Sequence, residues 1–228
     1  MDWKCEDVID ATLRPAKSRE DFELHLATLE WSLIDPIIIH SEADIKATNW
    51  RERRLKPFYH QIQNLITFCR RLPIALIADD VGLGKTISAG LILSELISRK
   101  RVNRTLVIVP KVLAEQWVGE LHLKFGITAK AAFGDKLGEE LRRNTPVVVT
   151  TYQSVSSRLA VLEPGQFDLC IFDEAHKLRN LHGSQNPPKM AENVRAALRR
   201  RPFKYVVMLT ATPIQNRIWD LYSLIDLL

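Results

Sequence analysis

The stretch Asp79-Asp80-Val81-Gly82-Leu83-Gly84-Lys85-Thr86 has the residue types that hold a phosphate. Gly82 and Gly84 let backbone N–H groups curl around an oxyanion with no Cβ in the way. A helix starting at Lys85-Thr86 turns its positive N-terminal end on the same point. Lys85 has the reach for β- and γ-phosphate oxygens, and the Thr86 hydroxyl is a ligand for Mg²⁺. The general pattern opens on glycine, and Asp79 stands there instead. Further on, the apolar run Phe167-Asp168-Leu169-Cys170-Ile171-Phe172 delivers two adjacent carboxylates, Asp173 and Glu174, followed by Ala175-His176. Carboxylates at the end of such a run are costly unless a cation or hydrogen bonds neutralise them. Alone, the pair also reads as an ordinary helix cap. With a phosphate loop upstream, Asp173 reads as a Mg²⁺ ligand opposite Thr86, and Glu174 as the group that orients or deprotonates an attacking water. A third terminus, Leu209-Thr210-Ala211-Thr212-Pro213, offers two threonines. They are either β-branched strand residues or hydroxyls that bond the acidic pair and sense the γ-phosphate. The three segments together describe a nucleotide site.

Such groups meet only on a scaffold that brings strand ends together. From Leu55 onward, short continuous apolar runs alternate with amphipathic stretches. The runs are Ile74 to Ala78, Leu106 to Val109, Val147 to Thr150, Leu169 to Phe172 and Val206 to Leu209. Continuous rather than alternating runs mean strands buried on both faces, as in a parallel sheet. Helical patterns cover Thr86 to Ser98, Val112 to Phe125, Asp135 to Arg143 and Met190 to Arg200. Repeated strand–helix order predicts a doubly wound α/β domain with its ligands at the carboxyl ends of the strands. The first fifty residues hold no glycine and read as a helical appendage. Ser18-Arg19-Glu20-Asp21 resembles a capping box ahead of Phe22, Leu26, Leu29 and Leu33 at helical spacing. Asp35-Pro36 stops that helix, and Ile37-Ile38-Ile39 reads as a short buried strand or a turn of helix. The expected organisation is a helical appendage over residues 1–52 and a nucleotide-binding α/β lobe over 53–228.

Composition narrows the classes. With 228 residues, 46% apolar and 26% charged, the chain is no disordered tail, fibre or linker. No apolar run reaches the eighteen or so residues of a membrane span, and the acidic start, Met1-Asp2-Trp3-Lys4-Cys5-Glu6-Asp7, is unlike a signal peptide. Cys5, Cys69 and Cys170 form neither a disulfide framework nor a metal spacing, which favours a reducing intracellular compartment. That means the cytoplasm and nucleoid of a prokaryote, or the nucleus of a eukaryote. The net charge of +5 leans towards a polyanionic partner.

Taken in order, the motifs resemble helicase superfamily 2 and, within it, the Swi/Snf-type ATPases, over Leu55 to Leu228. Leu55-Lys56-Pro57 with His60-Gln61 is similar to the adenine-reading segment, Phe58 and Tyr59 being additional to it; Gln61 is the candidate adenine contact and Gln63 competes with it. Asp79, Asp80, Val81, Gly82, Leu83, Gly84, Lys85 and Thr86 resemble motif I, in which this family often has an acidic residue first. Val109-Pro110, Leu113, Gln116-Trp117 and Glu120 are similar to the Swi/Snf form of motif Ia, and Val149-Thr150-Thr151-Tyr152 to motif Ib. Asp173 to Asn180 resembles motif II with its basic and Asn extension. Leu209 to Asn216, with Asp220 to Leu224, resembles motif III and its helix, Ala211 standing where glycine is usual.

The resemblance implies a P-loop, RecA-like lobe of a DNA translocase that uses ATP and Mg²⁺. Lys85, Asp173 and Glu174 would be catalytic, and Thr86 and Asp173 would hold the metal. His176, Thr210 and Thr212 would couple the site to nucleic acid, double-stranded DNA above all, lying across Pro110, Lys111, Thr150 and Thr151. Such loop contacts follow phosphates without reading bases. The clusters Arg51, Arg53, Arg54, Lys56 and Arg199, Arg200, Arg201, Lys204 read as solvated surface. A motor of this type has a second lobe that supplies arginines, and no arginine-bearing motif of that kind is present, so this polypeptide alone is expected to hydrolyse ATP negligibly. The alternatives are a lobe of another superfamily 2 helicase acting on single-stranded DNA or RNA, and a non-hydrolysing nucleotide-gated binding module.

Overall fold

The computed structural model describes residues 18, 22 and 34–227, apart from 144, 157, 160–161, 164, 183–186, 201 and 215–217. Backbone contacts divide the chain into Met1–Pro36 and Ile37–Leu228, and the architecture that follows is that of the second unit. The helix expected over residues 18–33 falls outside the described residues except at Ser18 and Phe22.

The apolar runs form β1 (Ile74–Ile77), β2 (Thr105–Val109), β4 (Val147–Thr151), β5 (Phe167–Phe172) and β6 (Phe203–Leu209), joined by a two-residue strand, β3 (Lys130–Ala131). They build one sheet of six strands in the order β1-β6-β5-β2-β4-β3, parallel at every pairing. This is the doubly wound α/β architecture that the strand–helix alternation predicts. Helices α1 (Asn49–Glu52), α2 (Tyr59–Arg70), α3 (Lys85–Ser98), α4 (Ala114–Phe125), α5 (Asp135–Arg142), α6 (Tyr152–Ser156), α7 (Lys189–Leu198) and α8 (Ile218–Ile225) complete it. β2 and β4 are buried along their whole length, whereas β1, at the sheet edge, is half-buried over its first three residues.

Helix α3 is apolar almost all round and is buried from Ile87 to Leu96, as a helix without a polar face must be. Gly90 permits its close crossing with α4: a Cβ there would lie 2.3 Å from Phe125 Cε2. The same helix gathers in the segment ahead of α2. The buried Glu95 carboxylate accepts the Lys46 and Ala47 N–H groups at 3.1 and 2.8 Å and the Arg99 Nε–H at 2.6 Å. Asn49 accepts from the Ser94 hydroxyl and donates to the Phe125 carbonyl, and Trp50 is buried. Residues 37–52, assigned to an appendage from sequence, therefore pack into the same unit as the sheet. The division by backbone contacts falls at 36 rather than 52, and the Lys46 and Ala47 N–H groups are bonded to Glu95 of α3. Ile37-Ile38-Ile39 is neither strand nor helix. It is a length of chain with Ile37 and Ile39 turned inward and Ile38 62% exposed, anchored by the Ile37 N–H on the Cys69 carbonyl.

Strand register aligns the termini. Ile77 at the end of β1 pairs with Leu209 of β6, Phe172 of β5 pairs with Met208 of β6 and with Ile108 of β2, and Val109 pairs with Thr151. The ladder runs one step further: the Thr210 N–H reaches the Ile77 carbonyl at 3.0 Å, and the Asp173 N–H the Ile108 carbonyl at 2.8 Å. Among the described residues, no helix is long and apolar enough to cross a membrane.

Candidate functional site

The phosphate loop leaves β1 at its carboxyl end and closes into α3. Gly82 and Gly84 both take positive φ, +83° and +73°, and Gly84 caps the helix in the left-handed region, which a side chain would resist. Lys85 folds back over the loop, its ammonium donating to the Asp79 and Asp80 carbonyls at 3.0 and 3.1 Å. Thr86 follows in the first turn, half-buried.

Helix α2 holds this loop from below. Gln61 is buried and fully used: its oxygen accepts the Phe58 N–H at 2.9 Å, and its amide donates to the carbonyls of Leu83 at 2.9 Å and Gly84 at 3.4 Å. His60 Nε2 lies 3.0 Å from the same Leu83 oxygen. One turn along α2, Asn64 donates to the Asp79 carboxylate at 2.7 Å. That bond gives the acidic residue at the loop's first position a structural purpose, since it ties the start of the loop to α2. Gln61, the candidate adenine contact, is thus engaged as a brace of the phosphate loop.

Two strands away, Asp173 directly follows the end of β5 and is only 5% exposed. Its Oδ2 accepts the Trp117 indole N–H at 2.7 Å and its Oδ1 the Glu174 N–H at 2.9 Å. Burial pushes the Asp173 carboxyl above the usual carboxylate range and the Glu174 charge adds to this, while both hydrogen bonds and the Lys85 ammonium pull the other way. Tyr152 donates its hydroxyl to the Asp173 carbonyl at 2.7 Å, and burial drives that phenol well above its ordinary value, so it stays a donor. Glu174 adopts a left-handed backbone, φ 54° and ψ 48°, a conformation that costs a non-glycine residue about 1 kcal/mol or more and gathers at functional sites. His176 Nδ1 stands 3.0 Å from Glu174 Oε2, near enough for an ion pair though off the line of an N–H···O bond. Burial lowers the His176 imidazole, against the pull of Glu174.

The residues present fit Mg²⁺. Asp173 is a buried carboxylate whose hydrogen-bond donors are neutral, and among the described residues it has no ion-pair partner. No group of three His, Cys, Asp or Glu that could hold a metal stands among the described residues either. Mg²⁺ asks for less: one or two carboxylates completed by phosphate oxygens and water.

The remaining sequence candidates divide. Thr210 is fully buried and its hydroxyl oxygen accepts the Thr212 N–H at 3.2 Å, Thr212 itself being exposed. Among the described residues no hydrogen bond joins either threonine to Asp173, Glu174 or His176. Lys111 is exposed and Pro110 half-buried. Thr150 is fully buried and its hydroxyl donates to the Ala132 carbonyl at 2.7 Å, tying the end of β3 to β4. Thr151 is also buried, its hydroxyl bonded to Ser154 at 2.9 Å to start α6. Arg51 and Arg53 contact Glu42 and the Leu123 carbonyl. Sequence reasoning missed the partners of Asp173. A buried Trp and a buried Tyr each carry one polar atom in need of a bond, and that was the available signal.

The chain is similar to several known proteins. The profile of the SNF2-related domain family matches residues 38–228. The uncharacterized ATP-dependent helicase YqhH of Bacillus subtilis is 40% identical over 154 residues, 68% of this chain and 26% of that protein. The RNA polymerase-associated protein RapA of Pectobacterium carotovorum is 34% identical over 156 residues, 64% of this chain and 16% of that protein. This chain therefore spans about a quarter or less of these relatives. Among solved structures, the SWI2/SNF2 ATPase core of Sulfolobus solfataricus in complex with dsDNA superposes with a TM-score of 0.59 at 23% identity, covering 86% of this chain and 37% of that one. The UvsW helicase of bacteriophage T4 gives 0.58 at 16% identity, covering 91% and 65%. At those identities the likeness is one of fold.

Proposed function

The chain belongs to the SNF2-related domain family, and from that premise we propose that it is the ATP-binding lobe of an ATP-dependent translocase acting on double-stranded DNA. The observation that carries this reading is the meeting of three strand ends. The phosphate loop, Asp173-Glu174 and Thr210 leave β1, β5 and β6, which are neighbours in the sheet.

In this reading the N–H groups of the glycine loop and the N-terminus of α3 cradle the phosphates. Lys85 exchanges the Asp79 and Asp80 carbonyls for β- and γ-phosphate oxygens. Thr86 and Asp173 hold Mg²⁺, which when bound neutralises charge on the phosphate oxygens. Glu174 orients the attacking water and takes its proton, with His176 beside it to steady its carboxylate. DNA lies along the surface at Pro110 and Lys111, where contacts follow phosphates. A second lobe supplies arginines, a contribution worth ~10³–10⁵ in rate in phosphoryl transfer.

The test is binding of a fluorescent ATP analogue to the purified chain. Saturation that depends on Mg²⁺ is expected, with Lys85→Ala weakening it at least tenfold. Absence of binding by the wild-type chain would falsify the reading. Hydrolysis by the chain alone should be negligible, and a turnover above roughly 1 s⁻¹, within the range of complete enzymes, would remove the need for a second lobe. When a longer form carrying that lobe is assayed, stimulation by duplex DNA is expected; stimulation by single strands or RNA alone would move the assignment to another helicase branch.

A further inference from the structure

Asp173 must present a carboxylate to a cation from a place where solvent does not steer it. The torsion that orients an aspartate carboxylate is broad and has no strong preference of its own. Here the orientation is imposed from outside. Trp117, 1% exposed on α4, directs its one polar atom, Nε1–H, to Asp173 Oδ2 at 2.7 Å, while the Glu174 N–H takes Oδ1 at 2.9 Å. Each oxygen keeps a lone pair that these donors leave unused. An indole N–H is also a neutral donor: it fixes the carboxylate without cancelling its charge, as a lysine or arginine in the same place would. We infer that Trp117 is the positioning residue that aims the Asp173 carboxylate at Mg²⁺. The inference rests on the nucleotide reading above and adds a residue to it. It also makes the carboxylate depend on α4, the helix that follows half-buried Pro110 and exposed Lys111.

Outer partners of metal ligands are worth about 10–100-fold in metal affinity. The experiment is a Mg²⁺ titration of the nucleotide-bound chain, read by a fluorescent ATP analogue, on wild type, Trp117→Phe and a chain with benzothienylalanine at position 117. The last keeps the shape of the indole and replaces its N–H by sulfur, so it separates orientation from packing. Both replacements are expected to weaken the Mg²⁺-dependent part of binding at least tenfold, with binding in excess EDTA unchanged. In wild type, the indole N–H resonance missing from Trp117→Phe should shift when Mg²⁺ is added to the nucleotide complex. A benzothienyl chain with the wild-type Mg²⁺ dependence, or an indole resonance that Mg²⁺ leaves in place, overturns the role of Trp117 and spares the nucleotide site. A wild-type chain with no Mg²⁺-dependent binding overturns both.

Discussion

To hold Mg²⁺ as proposed, Asp173 would have to ionise, and the fold resists it. Burial and Glu174 raise its carboxyl above 3.8, so between that value and the folded one the native state holds a proton that the unfolded chain has already lost. Stability contributed by the protonated form is present in acid and falls as pH rises through the folded value. A bound cation reverses the balance, because it prefers the ionised carboxylate. The stabilisation of the chain by Mg²⁺ and nucleotide together is therefore expected to grow as pH rises through the same interval. Thermal unfolding with and without Mg²⁺-nucleotide, run across a pH series, measures this. A stabilisation that stays flat, or shrinks with rising pH, would mean that Asp173 does not hold the metal. Little of this was legible in sequence. Asp173 and Glu174 were evident as types in place, since an apolar strand has few reasons to end in two acids. The left-handed turn at Glu174 and the indole behind Asp173 depend on contacts across the sheet that no local pattern records.

The strands and long helices were legible because each obeys a local rule. β2 and β4 are continuous runs of apolar residues and threonine and are buried throughout; α3 follows a glycine-rich loop and reads as apolar almost all round. β3 was not legible, as two residues carry no period. Nor was the use of Glu95, an acid among apolar residues that looks like a blemish in α3. Its carboxylate accepts two backbone N–H groups from Lys46 and Ala47 and the Arg99 side chain, which makes it the clamp between the segment ahead of α2 and the helix that begins with Lys85. Removing it strands those donors in the interior. Glu95→Ala is expected to cost roughly 3 kcal/mol, a fall of about 6–12 °C in Tm for a domain of this size. Differential scanning calorimetry decides it: a loss of under about 2 °C would show the clamp to be solvated and dispensable.

At the scale of the molecule, the question is where the folding unit starts. Sequence texture changes at Leu55, where strand–helix alternation begins, and that put the boundary at 52. Packing gives another answer, because Ile39, Ile45, Ala47 and Trp50 are buried although the segment bearing them contains only short helical turns. Side chains without periodicity leave no secondary-structure signal, yet they cover the α3–α4 face as a strand or helix would. Two truncations separate the alternatives. A chain beginning at Ile37 is expected to unfold cooperatively and to bind Mg²⁺-nucleotide with unchanged affinity. A chain beginning at Arg53 uncovers apolar surface and leaves Glu95 with Arg99 alone, so it should aggregate or melt well below the first. If the Arg53 chain proves as stable as the Ile37 chain, residues 37–52 are an appendage after all, and the clamp at Glu95 contributes nothing to holding α3 and its phosphate loop in place.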